Sequence, residues 1–347
     1  MPTINQQKWK KVEYSKKQII KAGETIVKQT IDPKERLKAI QIIDNWRAAH
    51  AYPMHVMYMH LRQMAGSKNI IVAERLKRLD SIIAKLQREN EMSLWRVQDL
   101  GGCRFIVPNF IDVYTYSQKY EKSRKRHILQ KENDYIKNPK LSGYRSLHLV
   151  YKYHSDHTET YNRNILIEIQ YRTHLQHLWA TAVETVGLFT KQAIKSGEGN
   201  PDVKQFFVLV SSLFALKENC PVVPGTSTDV KELVKEIKRI DKNNYIIDRL
   251  KAIKTSMRVL PLQMNRKAEY FLLILNYNTR KLRILFFTPN QIEEANDYYS
   301  RIEEKRDVTH IDAVLVRVSS FNALKIAYPN YFSDISEFLE IVSSYVE

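Results

Sequence analysis

The chain has 347 residues, 55 Lys and Arg against 38 Asp and Glu for a net charge of +17, and 44% hydrophobic residues. That length predicts about two domains, and the charge excess predicts a polyanionic partner such as a nucleotide, a nucleic acid or an anionic membrane. Two distant cysteines, Cys103 and Cys220, exclude a disulfide framework or Cys-rich zinc site, and the longest apolar run, 206–216, falls short of a membrane-spanning helix, so a cytoplasmic protein with no membrane partner is expected.

Residues 5–65 predict helices, one of them opened by Asp32 with a proline just behind it. A further helix is expected at about 70–90, where apolar residues recur at helical spacing. "GGCRFIV" (101–107) predicts a short strand, followed by a helix from Ile111 to about Glu121 and a basic loop. Strands are expected at 144–151 and 163–171, and a helix over "THLQHLWATAVETVG", ended by Gly187. "NCPVVPGTSTD" (219–229) has linker composition, and an amphipathic charged helix follows it. From about 258 the pattern becomes two strands around a polar turn, a helix, a strand and closing helices.

The expected fold class is α+β, a mixed β-sheet flanked by helices with a smaller C-terminal α+β domain. The expected boundaries are an N-terminal helical region at 1–65, a catalytic unit at 66–218, a linker with charged helix at 219–257, and a C-terminal domain at 258–347.

Alternation along the strands carries the first chemical signal. In "GYRSLHLVY", Leu147, Leu149 and Tyr151 share one face with Arg145, while Tyr144, Ser146 and His148 share the other. In "RNILIEIQY", Ile165, Ile167, Ile169 and Tyr171 form a core face, leaving Glu168 and Gln170 opposite, with Arg172 just beyond. A carboxylate on a central strand requires a partner. Asp99, ahead of the strand at 101, is a second carboxylate, and together they suit Mg²⁺ on a nucleotide; each alone reads more readily as an ordinary surface group or ion pair. "RLKRLDSIIAKL" strings Arg75, Lys77, Arg78, Ser81 and Lys85 together, and residues 119–140 hold eight Lys and Arg against three acids. Either could grip phosphate or be a solvated surface. No GxxxxGK[ST] loop, strand-linked GxGxxG or kinase motif pair is present. His174 and His177 lack a third ligand and read as structural or solvent-facing.

Taken together and in order, "RLKRLDSIIAKL", "QDLGGCRFIV", "DYIKNPKLSGYRSLHLVY" and "IEIQYRTHLQHLWA" resemble the synthetase domain of the RelA/SpoT family, over about residues 45–190. The resemblance implies a nucleotidyltransferase-like fold and transfer of the β,γ-pyrophosphate of ATP to a ribose 3′-hydroxyl with release of AMP. It implies Asp99 and Glu168 as Mg²⁺ ligands, Glu168 also taking the hydroxyl proton. Arg75 and Arg104 would sandwich adenine, with Lys77, Ser81 and Lys85 on the phosphates. Tyr144 would stack on the acceptor base beside His148 and Gln170, and Arg172 would orient the strand or bind phosphate.

The acceptor implied is GDP or GTP. Asn133-Asp134-Tyr135 stands where alarmone makers often read Lys-Asp-Tyr, with Lys131 or Lys137 as substitutes. The toxic, phage-defence branch of the family implies an alternative: the 3′-CCA end of tRNA as acceptor, and a C-terminal domain that neutralises the enzyme or senses a protein partner or trigger. A reading from another class is a catalytically inactive RNA-binding protein.

Overall fold

The computed structural model describes residues 9–66, 69–89, 91–123, 126–157, 159–190, 200–256, 258–259, 265, 267–276, 279, 281–304, 311–332 and 335–346. The expected helices at 5–65 are α1 (Lys16–Ile26), α2 (Pro33–Ala49) and α3 (Ala51–Ala65), with residues 5–8 outside the described ones. Asp32 caps α2 as its sequence context predicts, accepting from the backbone N–H groups of Lys34 and Glu35, with Pro33 in the first turn.

The segment at 70–90 is not one helix. It divides into strand β1 (Ile71–Leu76) and helix α4 (Leu79–Arg88). The run Ile70-Ile71-Val72 is β-branched, and β1 is hydrogen-bonded on both sides, which overrides the helical periodicity. Next come β2 (Gly101–Val107) and α5 (Phe110–Glu121). The basic loop hides an edge strand, β3 (Ile128–Asp134), too polar to alternate visibly. Then follow β4 (Leu147–Lys152), β5 (Leu166–Thr173) and α6 (His174–Thr190). Helix α6 runs through Gly187 instead of ending there, because one glycine inside a helix costs only about 1 kcal/mol relative to alanine.

The apolar run at 206–216 lies in α7 (Pro201–Lys217), and the charged helix after the linker is α8 (Val230–Asn244), burying Leu233, Ile237 and Ile240. Next are α9 (Ile246–Ser256), β6 (Arg258–Val259), β7 (Tyr270–Asn276), β8 (Lys281–Phe287), α10 (Ile292–Glu304) and β9 (Ile311–Arg317). Helices Phe321–Ala327, Pro329–Phe332 and Ser336–Val346 end the chain. Among the described residues no helix is long and apolar enough to cross a membrane.

The strands form one mixed sheet in the order β3-β4-β5-β2-β1-β9-β7-β8-β6. β9 joins β1 antiparallel through Glu74↔Arg317 and Arg75↔Val316, so the C-terminal strands extend the sheet begun by β1 to β5. At that seam the Arg317 guanidinium donates to Glu269 Oε2 at 2.6 Å, to the Tyr270 hydroxyl and to His55 of α3. One face packs against α1 to α3 and α5 and contains Phe105, Leu147, Leu149, Ile167 and Ile169. The other is covered by α6 and the C-terminal helices, with α7 packed on α6.

Gly143 fixes the entry to β4. Its φ is +88°, and a Cβ there would stand 2.9 Å from Trp179 and 3.0 Å from Ser211, whose hydroxyl donates to the Gly143 carbonyl. Gly143→Ala is expected to destabilise the fold by about 2 kcal/mol, combining left-handed strain with a clash against packed side chains. Equilibrium denaturation measures it, and a loss near zero would mean that the loop adapts.

Candidate active site

The site is a row-by-row product of strand register. Directly paired residues point to the same face, and the face opposite the main core carries two polar rows. Arg75, Gly102 and Glu168 stand in line across β1, β2 and β5. Arg104, Gln170 and His148 form the next row across β2, β5 and β4. These rows floor a cavity of about 260 Å³, lined among others by Lys77, Asp99, Lys140, Tyr144, Arg172 and Tyr328. The alternation expected at 144–151 and 165–171 is present: the isoleucines and leucines face the core, and Tyr144, His148, Glu168 and Gln170 face the cavity.

Asp99 sits in the turn before β2, where α4 and the end of β1 supply two cations. Lys77 Nζ donates to its Oδ2 at 2.7 Å and Lys85 Nζ to its Oδ1 at 3.0 Å. Burial alone would raise its pKa, but the two ammonium groups outweigh it and hold the carboxyl well below the usual range. Glu168 shows the same contest. Burial penalises its charge and Asp99 repels it, yet His148 beside it, with a smaller contribution from the Gln170 hydrogen bond, keeps its pKa lowered. Its Oε1 lies 2.8 Å from His148 Nδ1, and its Oε2 accepts from Gln170 Nε2 at 2.5 Å. The two carboxylates therefore share one cavity, ionised and each wrapped by donors.

Arg75 and Arg104 face the same aromatic ring. Their guanidinium carbons lie 6.0 Å and 5.2 Å from the centroid of Tyr328. Arg104 also donates to the Ala327 carbonyl at 2.5 Å, and His177 Nε2 to the Ile326 carbonyl at 2.6 Å. Ile326 and Ala327 end the helix Phe321–Ala327, whose last carbonyls have no intrahelical partners and carry its negative pole. The C-terminal part of the chain thus plugs its helix end onto the cationic wall. Burial, aided by Arg172 and Arg75, pushes the Arg104 pKa down to about 10. His177 is structural, as its sequence context suggests, and His174 pairs at the surface with Glu337.

The other expected residues divide. Lys77 lines the cavity, while Lys85 reaches it through Asp99. Ser81 is half-buried on α4 and is not a lining residue. Lys131 is exposed on edge strand β3, and Lys137 reaches back to Asp134 and over the Tyr114 ring at 4.8 Å, so neither lines the cavity. The Asp134 carboxylate caps the turn at Ile136 and Lys137 and turns the Lys137 side chain outward. Lys140 lines the cavity in their place, its ammonium 4.4 Å from the Tyr135 ring and 5.5 Å from Tyr144. It belongs to the same basic run, and only the turn before Gly143 distinguishes it. Glu184 and Tyr328 carried no sequence signal of their own: Glu184 lies just past the last motif on α6, and Tyr328 far beyond it in the C-terminal region.

Asp99 and Glu168 fit a hard divalent cation in charge and in facing one space. Among the described residues no group of three or more His, Cys, Asp or Glu side chains could hold a metal ion, so phosphate and water oxygens would have to complete its shell.

Comparison with known proteins gives concordant matches. Residues 74–191 match the family described as a region found in RelA / SpoT proteins. GTP pyrophosphokinase YjbM of Bacillus subtilis (strain 168) is 35% identical over 112 residues, 32% of this chain and 52% of that protein. GTP pyrophosphokinase YwaC of the same organism is 33% identical over 113 residues, 31% of this chain and 52% of that protein. The chain therefore spans about half the length of these two relatives. A crystal structure of small alarmone synthetase 1 from Bacillus subtilis, bound to its product pppGpp, superposes with TM-score 0.42 at 25% identity, over 49% of this chain and 89% of that one.

Proposed function

We propose that this chain, whose residues 74–191 match the region found in RelA / SpoT proteins, is an ATP-dependent pyrophosphokinase that acts on the ribose 3′-hydroxyl of a guanine nucleotide, GDP or GTP. One observation carries the reading: Asp99 and Glu168, from separate elements, line a single cavity walled by Arg75, Lys77, Arg104, Lys140 and Arg172. The matched relatives carry the name GTP pyrophosphokinase, which favours a guanine acceptor.

In the reaction, the acceptor 3′-oxygen bonds to the β-phosphorus of ATP. The bond from that phosphorus to the α,β-bridging oxygen breaks, AMP leaves with the electron pair, and the hydroxyl proton passes to the Glu168 carboxylate. Displacement at phosphorus needs in-line positioning and charge neutralisation more than covalent help. Lys77 and Lys85 supply positive charge to the triphosphate, and Arg75 and Arg104 flank adenine. Tyr144, with Lys140, receives the acceptor. Mg²⁺ held by Asp99 and Glu168 would neutralise phosphate charge.

A second feature is favoured by Tyr328 and the helix ahead of it. They cover the arginines that would take adenine, and the cavity, at about 260 Å³, falls just under the usual range of about 300–1,000 Å³ for ligand pockets. We read the C-terminal region as a neutralising module that ATP, or a partner protein, must displace. The test is incubation of the full chain with labelled ATP and Mg²⁺, offering GDP, GTP or deacylated tRNA separately. AMP release with GDP or GTP is the expected result. Label on the tRNA 3′ end would move the chain to the tRNA-modifying reading, and RNA retention without AMP release would make it a binding protein.

A further inference from the structure

Five side chains at the acceptor end of the cavity close a ring of hydrogen bonds. Arg172 NH2 approaches the Tyr144 hydroxyl at 2.6 Å, and that hydroxyl lies 2.8 Å from His148 Nε2. His148 Nδ1 lies 2.8 Å from Glu168 Oε1. On the other arm Arg172 NH2 approaches Gln170 Oε1 at 2.7 Å, and Gln170 Nε2 approaches Glu168 Oε2 at 2.5 Å.

Donor and acceptor chemistry gives the ring a direction. A guanidinium only donates and a carboxylate only accepts, so Arg172 is the source and Glu168 the sink. The Tyr144 oxygen accepts from Arg172 and directs its one proton to His148 Nε2. Ser146, beside it, donates its own proton to the Tyr171 carbonyl. The carboxylate, which only accepts, takes the proton of His148 Nδ1, and this leaves Nε2 facing the Tyr144 hydroxyl. The second arm fixes the Gln170 amide in the same way, its oxygen toward Arg172 and its nitrogen toward Glu168. Both carboxylate oxygens are thus held by N–H donors whose orientation is set one step away. The His148 ring is clamped further by edge-on contacts with Tyr135 at 5.3 Å and Tyr144 at 5.7 Å.

We propose that the hydroxyl of Tyr144 is a positioning group for the transfer step. By fixing which nitrogen of His148 faces Glu168 it aims the carboxylate at the acceptor 3′-hydroxyl. The ring of the same tyrosine receives the acceptor base, so one residue couples acceptor recognition to the orientation of the catalytic carboxylate. This rests on the pyrophosphokinase reading, and it separates two halves of one side chain: the π face for binding, the hydroxyl for alignment.

Tyr144→Phe keeps the ring and deletes the hydroxyl. Steady-state kinetics on the full chain, with and without Tyr328→Leu to uncover the cavity, are expected to show kcat down about 10- to 100-fold, the range typical of lost orienting partners. The acceptor KM should stay within about twofold, whereas Tyr144→Ala should raise it. The paired readout is the ¹⁵N spectrum of histidine-labelled protein, with His148→Gln assigning the resonances. Glu168 keeps the proton on Nδ1, and Tyr144→Phe, which removes the partner of Nε2, should move the Nε2 resonance. An unchanged kcat overturns the proposal, as do unmoved His148 resonances. A parent chain whose His148 resonances respond, but which releases no AMP with any acceptor, overturns instead the pyrophosphokinase reading on which the proposal stands.

Discussion

Glu168→Gln is expected to cut AMP release by at least about 10³-fold while the chain remains folded, because it removes the negative charge proposed to take the acceptor proton but hardly changes volume. The neighbourhood makes this a sharp test. Both present partners of Glu168, His148 Nδ1 and Gln170 Nε2, donate to it. An amide offers one oxygen and one NH2, so one of these donors must face another donor or turn away. That mismatch is expected to cost about 1–2 kcal/mol of stability, seen as a small drop in Tm, well short of unfolding. ATP binding should persist, because Arg75, Arg104, Lys77 and Lys85 are untouched. Near-normal turnover would remove Glu168 from the chemistry and, with it, the role assigned to the two facing carboxylates.

Replacing Tyr328 is the second large effect, of opposite sign. Its ring is 2% exposed, packs beneath Arg75 and Arg104 and also belongs to the C-terminal core, so Tyr328→Ala would open a void there. Tyr328→Leu keeps most of the bulk and removes the π face. Cation–π contacts are worth about 0.5–2 kcal/mol each, and in the proposed reading whatever Tyr328 contributes must be given up before adenine can take the arginines. The KM for ATP is therefore expected to fall about tenfold in Tyr328→Leu, the equivalent of about 1.4 kcal/mol, while Tyr328→Phe, which keeps the ring, stays near the parent. The Ala327 carbonyl on Arg104 remains in both variants, so relief is expected to be incomplete. An ATP KM that is the same in all three proteins would show that the ring does not compete with the nucleotide.

Deleting the C-terminal strands is a poorer version of this experiment. β9 pairs with β1, and its removal would strip hydrogen-bond partners from the strand that carries Arg75 and expose an unpaired edge. It would also leave Glu74 and His55, both buried, without the Arg317 guanidinium that now contacts the imidazole. A point substitution at the plug separates inhibition from scaffold.

Much of the site was legible because its residues sit on strands whose period is two. Alternation alone sorts Ile167, Ile169 and Tyr171 to one side and Glu168 and Gln170 to the other, and likewise Leu147 and Leu149 against His148. The cap at Asp32 was equally local. Where local signals competed, sequence failed. Residues 71–76 read as helix because apolar and charged residues happened to recur at helical spacing, and only pairing with β2 and β9 makes them a strand. The basic run offered many cations, and nothing in it distinguished Lys140, which turns inward, from Lys131 and Lys137, which do not.

What the sequence determined by itself, then, was which faces are polar and which residue types stand on them, since alternation and capping depend on neighbours along the chain. What only the tertiary structure decided was which cations meet which anions and what covers them. Arg104 ends beneath Tyr328, and Asp99 between Lys77 and Lys85, because strands and helices distant in sequence are brought into register. Such pairings depend on sheet order, and no periodicity within a segment encodes the order of a sheet.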